Sequence, residues 1–110
     1  MTLKADITFH GMDSSEAMRT NIIKYVEKIA RLAPEIISCK VVVEPEEKGH
    51  QKGNRFTTRV HVTLPGAEFE AGRQQSNEDA YVAIRDAFDA MRRQLEEHVG
   101  RRQDEVRRSV

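Results

Sequence analysis

Apolar and polar residues alternate along the first segment: Leu3, Ala5, Ile7 and Phe9 against Lys4, Asp6, Thr8 and His10. A period of two predicts a strand with one buried face. In "GMDSSEAM", Asp13 followed three residues later by Glu16 reads as a capping box that starts a helix near Ser14. Met18, Ile22, Val26 and Ile29 then recur at the helical spacing, and Pro34 ends the pattern. A second strand is predicted near Ile37–Glu44, with Ile37, Cys39, Val41 and Val43 on one face. "PEEKGHQKGNR" (45–55) has no period and reads as a loop. A third strand near Phe56–Leu64 turns Thr58, Val60, Val62 and Leu64 inward and Arg59, His61 and Thr63 outward. "PG" at 65–66 is a turn signal, and "AEFEA" a short fourth strand with Phe69 inward. The last long pattern, "EDAYVAIRDAFDAMRRQLEEH" (78–98), carries Tyr81, Ile84, Phe88, Met91 and Leu95 as a helical seam, capped by Ser76 or Asn77.

The element order is therefore strand, helix, three strands, helix. Strands two to four are joined by loops or turns rather than helices, which predicts an antiparallel meander. Each strand has one apolar face and each helix one apolar stripe, so both helices belong on the same face of one sheet. The fold class is α+β. Residues 1–98 read as a single domain, and 99–110 as a charged tail that frays.

Length agrees with one core. For 110 residues, surface scaling gives about 6,200 Å² exposed when folded against about 18,000 Å² unfolded. No apolar run suits a signal peptide or a membrane span, so the expected location is the cytoplasm, with no membrane partner. Lys and Arg total 18 and Asp and Glu total 18, so the basic excess typical of a nucleic-acid binder is missing. Any anion-binding surface must come from uneven placement of charge.

Enzyme chemistry finds little support. His10, His50, His61 and His98 lack a metal-ligand spacing, and neither phosphate-loop motif occurs. Cys39 falls on an inward register, as a small buried hydrophobe does. No catalytic residue, metal, cofactor or small-molecule substrate is expected.

The bases are more informative. On the first helix Lys24, Lys28 and Arg31 fall within roughly 60° of one another, at about 100° per residue. This stripe flanks the apolar face, and a groove beside it could seat phosphates; the bland alternative is a solvated face with Glu27 paired to Arg31. On the second helix Arg85 and Arg92 flank the seam and Arg93 points further out, among Asp86, Asp89 and Glu97. Lys48, Lys52 and Arg55 offer a possible RNA-contacting loop. Base stacking on the sheet is excluded, because Phe9, Phe69, Tyr81 and Phe88 take inward registers.

Three stretches together, "ITFHGMDSSEAMRTNIIKYVEKIARL", "HQKGNRFTTRVHVTLPGAEFEA" and "EDAYVAIRDAFDAMRRQLEEH", resemble the ribosome hibernation-promoting factor and ribosome-associated inhibitor A family, over about residues 5–98. The resemblance implies a β-α-β-β-β-α fold similar to a double-stranded-RNA-binding domain. It also implies a translation inhibitor, used in stress or stationary phase, that occupies the mRNA–tRNA channel of the small ribosomal subunit. The implied partners are that subunit and its rRNA, with Lys24, Lys28, Arg31, Arg85, Arg92 and Arg93 as phosphate contacts. Lys28 and Arg31 match two of the family's three groove bases on the first helix, and Tyr25 stands at the third. Arg93 keeps a basic position on the second helix, whereas Ala90 and Glu97 stand where lysines occur in better-known members. No room remains for the further C-terminal domain of longer members, so single particles are the expected target. A protein–protein adaptor with weak or no ribosome binding is the competing reading, favoured by the neutral net charge.

Overall fold

The computed structural model describes residues 3–48 and 51–108, with the backbone alone for 47, 48, 51–54 and 108. The elements are β1 (Ala5–Phe9), α1 (Glu16–Leu32), β2 (Ser38–Lys48), β3 (Gln51–Leu64), β4 (Ala67–Ala71) and α2 (Ala80–Arg108). Sheet order follows chain order, β1-β2-β3-β4. β1 and β2 are parallel, with Ala5 opposite Cys39 and Phe9 opposite Val43. A parallel pair needs a crossover, and α1 supplies it. β2–β3 and β3–β4 are antiparallel, as connections without a helix predict. The fold is thus α+β in the order β-α-β-β-β-α, with both helices on one face of a mixed sheet. Because β1 and β4 point the same way and each feeds a returning helix, α1 and α2 run parallel to each other.

The core forms where the periods place it. Cys39, Val41 and Val43 of β2 and Thr58, Val60, Val62 and Leu64 of β3 are buried beneath Ile22, Val26 and Ile29 of α1 and Ile84, Phe88, Met91 and Leu95 of α2. Each large aliphatic side chain so removed from water contributes about 2 kcal/mol. Two expected core residues lie outside. Ile37 is 61 % exposed: it precedes β2, and its N–H donates to the Thr63 carbonyl (2.7 Å). Tyr81, in the first turn of α2, is 41 % exposed. Ala80, Ala83 and Ala87 are buried there instead, which lets α2 lie close to the sheet.

Both helix starts differ from the sequence reading by a few residues. Ser15, not Asp13, caps α1: in extended backbone (φ −129°, ψ 117°), its Oγ accepts from the Met18 N–H at 3.2 Å. Asp79, not Ser76 or Asn77, caps α2. Its Oδ1 accepts from the Tyr81 N–H (2.9 Å), and its carbonyl from Val82 and Ala83 (3.1 and 3.0 Å). Asn77 in turn accepts from the Asp79 N–H through Oδ1 at 2.9 Å. In each case the residue whose oxygen reaches the free N–H groups of the first turn sets the boundary.

The expected loop at 45–55 is largely strand. β2 and β3 stay paired through Glu47↔Lys52 to Lys48↔Gln51, with a register shift between Pro45 and Glu47. β1 stops at Phe9, opposite Val43, and β4 reaches only Val60. A single bridge, Phe56 to Asn77, extends the pairing on the β4 side; beyond it the outer hairpin has no further strand neighbour among the described residues, so no core imposes an apolar face.

The segment expected to fray continues α2 to Arg108. Glu97 pairs with Arg101 along it, and Arg102 reaches Glu35 at 3.9 Å. The hairpin and the end of α2 project from opposite ends of the sheet, and the molecule measures 57 × 28 × 20 Å. Gly100 lies inside this helix with open space around its Cα. Gly100→Ala is expected to stabilise the chain by about 0.5–1 kcal/mol, because alanine loses less backbone freedom. Thermal unfolding followed at 222 nm should show a Tm higher by about 2–6 °C.

Candidate nucleic-acid interface

The two helices meet through an aromatic pair. The rings of Tyr25 (α1) and Phe88 (α2) stack at 5.3 Å between centroids and 15° between planes. Lys28 lies one turn on from Tyr25, and its ammonium sits 5.5 Å from the Tyr25 ring centroid. Tyr25 stands where the resemblance implies a base. It supplies no charge, but its ring face holds the Lys28 ammonium above the helix junction.

Around this junction the cations fall into two sets. The buried residues Ile22, Val26, Ile29 and Ala33 centre the inner face of α1. At about 100° per residue, Lys24 and Arg31 then lie nearly opposite the sheet. They do not flank the apolar face as the sequence suggested; Lys28 alone leans toward α2. On α2 the same geometry puts Arg93 on the outer crest, and Arg85 and Arg92 on the flank facing α1. All six are exposed, and they share the outer surface of the helix layer instead of lining one deep groove.

Their electrostatic states differ. Arg85 pairs with Asp86 at 3.2 Å. Arg92 lies between Asp89 (3.8 Å) and Glu96 (3.1 Å). Among the described residues, Lys24, Lys28, Arg31 and Arg93 enter no ion pair, and the Glu27–Arg31 pair of the bland alternative does not form. Glu97, one of the acids crowding the second helix, is turned to Arg101. Exposed pairs of this kind are worth about 0.2–1 kcal/mol, so a phosphate can displace an acid from Arg92, but the carboxylates stay nearby and offset the gain. Of the six candidate cations, those free of acidic partners are the three of α1 and Arg93.

Arg55 has a different setting from the one expected. It lies on β3; its Nε donates to Ser76 Oγ (3.1 Å), and its terminal nitrogen to the Ser76 carbonyl (2.7 Å). Glu46 approaches it at 4.0 Å. Arg55 thereby pins the segment that leads into α2. The side chains of Lys48 and Lys52 lie outside the described residues. Sequence reasoning missed both this clamp and the Tyr25–Phe88 contact. The aromatic three residues before Lys28 was the one available signal for the latter.

The remaining reactive groups are dispersed. His10 faces Glu44 (3.2 Å), His61 faces Glu68 (3.8 Å), and His98 packs edge-on against Phe69; His50 is outside the described residues. Burial pushes the Cys39 thiol up to about 11, so near neutral pH it is protonated and a poor nucleophile. Among the described residues no group of His, Cys, Asp or Glu is placed to hold a metal ion, and no helix is long and apolar enough to cross a membrane.

Comparison with known proteins adds three findings. Residues 5–103 match the family described as Sigma 54 modulation protein / S30EA ribosomal protein. A ribosomal subunit interface protein from Coxiella burnetii has a similar structure, with 20 % identity and a TM-score of 0.75 over 87 % of this chain and 97 % of that one. The N-terminal domain of Thermus thermophilus Protein Y is also similar, with 19 % identity and a TM-score of 0.71 over 89 % of this chain and 99 % of that one. No curated protein matches the sequence.

Proposed function

Because the chain belongs to the Sigma 54 modulation protein / S30EA ribosomal protein family, we propose that it is a ribosome-associated translation inhibitor without catalytic activity. It binds the small subunit in the mRNA–tRNA channel and gives shelter to idle ribosomes in stress or stationary phase. The observation that carries this reading is the unpaired set Lys24, Lys28, Arg31 and Arg93 on one outer surface of a chain whose net charge is zero. Phosphates of rRNA are the ligands such a set suits, since ammonium and guanidinium groups contact backbone oxygens without reading sequence. Among the described residues the outward strand positions carry no Phe, Tyr or Trp on which a base could stack, in keeping with recognition of backbone position and duplex shape.

Counterion release gives the test its magnitude. With about four phosphate contacts, a fourfold rise in salt lowers affinity by roughly two decades. Co-sedimentation with purified small subunits at low and high salt should show this decline. Binding indifferent to salt, or absent even at low salt, would overturn the proposal.

A further inference from the structure

Among the described residues the two most exposed large apolar side chains, Ile37 (61 %) and Val106 (63 %), lie at the same end of the molecule. Two shallow grooves open there and share Pro34. One is lined by Leu32, Val99 and Val106 together with the polar Glu35, Arg102, Gln103 and Arg107, and the other by Ala30, Ile36 and Ile37. They arise because α2 runs on beyond the end of α1, so the α2 seam outlasts the elements that cover it. Exposed apolar side chains gathered in two adjoining grooves mark a candidate interaction surface on a small domain.

We propose that this end is a self-association surface, on which α2 of a second copy lies antiparallel beside α2 and over Pro34. Charge arrangement selects this occupant. Val99 and Val106 are one heptad apart and share a face, with Arg102 and Gln103 between them. A twofold axis midway between the valines sets each Val99 on the other copy's Val106. It also brings Arg102 to within about two residues, roughly 3 Å, of the level of the other copy's Glu105. On the opposite flank it does the same for Glu96 and Arg107. A parallel alignment would instead set arginine beside arginine. The patch is therefore complementary to itself under a twofold, which an isologous dimer requires. Arg102 now leans on Glu35 at 3.9 Å, an exposed contact readily exchanged. The area is at the small end of specific interfaces, so the dimer is weak and depends on concentration. Lys24, Lys28 and Arg93 lie on the outer surface of the helix layer, and pairing leaves them open.

Sedimentation velocity of the full chain from micromolar to millimolar concentration tests this. The mean mass should rise toward twice the monomer, and Val106→Asp should weaken association about tenfold or more, since a carboxylate would be buried without a partner. Arg102→Glu should weaken it too, and adding Glu105→Arg should restore it. Gln103→Cys, close to the axis, should cross-link under mild oxidation, whereas Asp104→Cys on the far side of the helix should not; the native Cys39 is buried. A chain that stays monomeric throughout, a dimer indifferent to Val106→Asp, or equal cross-linking from both cysteines would overturn the proposal.

Discussion

Gly72→Ala is expected to remove a large part of the protein's stability, about 4 kcal/mol or more. Gly72 follows β4 with φ +108°, where an L side chain is strained. The larger penalty is steric. A methyl group there would lie 1.8 Å from the Thr58 carbonyl oxygen and 2.8 Å from the Ala87 Cβ. Both neighbours are fixed, since Thr58 belongs to the central ladder and Ala87 to the closest approach of α2, so no rotamer change relieves the overlap. Separating α2 from β3 would cost about 4 kcal/mol or more, a large share of a total stability of about 5–15 kcal/mol. Gly66→Ala is the control. Gly66 is also left-handed (φ +75°), but nothing lies within 4 Å, so only the backbone cost of about 1–2 kcal/mol applies. Urea denaturation of the two variants, followed by circular dichroism, should separate them clearly.

The second large effect concerns function. Lys28→Glu combined with Arg31→Glu should lower small-subunit association at least tenfold at low salt and reduce the salt slope by about two. Both side chains are exposed, so the circular dichroism spectrum and Tm should change little. Arg92→Ala should cost less than Lys28→Ala, because Arg92 is already neutralised by Asp89 and Glu96. Filter binding of labelled subunits to each variant gives the order. If the double reversal bound as wild type, the cations of α1 would not be the contact. If it lost a protein partner instead, with ribosome association unchanged, the adaptor reading would stand.

How much of this was legible in advance depended on burial. Where a face packs on the core, as with Val60 and Val62 or Ile84 and Met91, the spacing of apolar residues predicts strand or helix and the inward residues together. The hairpin beyond Glu44 is backbone pairing without a core face, so "PEEKGHQKGNR" shows no period although most of it is strand. Ile37 shares the parity of Cys39 and Val41, but parity says nothing about where the covering helix ends. Helix caps were misplaced because several adjacent oxygens compete; only geometry selects Ser15 and Asp79. At the candidate interface the bases themselves were legible. Their charge state was not, since spacing allows both Glu27–Arg31 and Arg92–Glu96 pairs, and only the second forms.

Cys39 gives the fold a built-in clock. Its thiol sits on the central face of β2, 1 % exposed, and no second cysteine competes for reagent. An alkylating agent can reach it only when the helix layer parts from the sheet, so its modification rate counts those openings. Occupants of the outer helix surface should slow that count if they brace the two layers, and leave it unchanged if they merely rest on top.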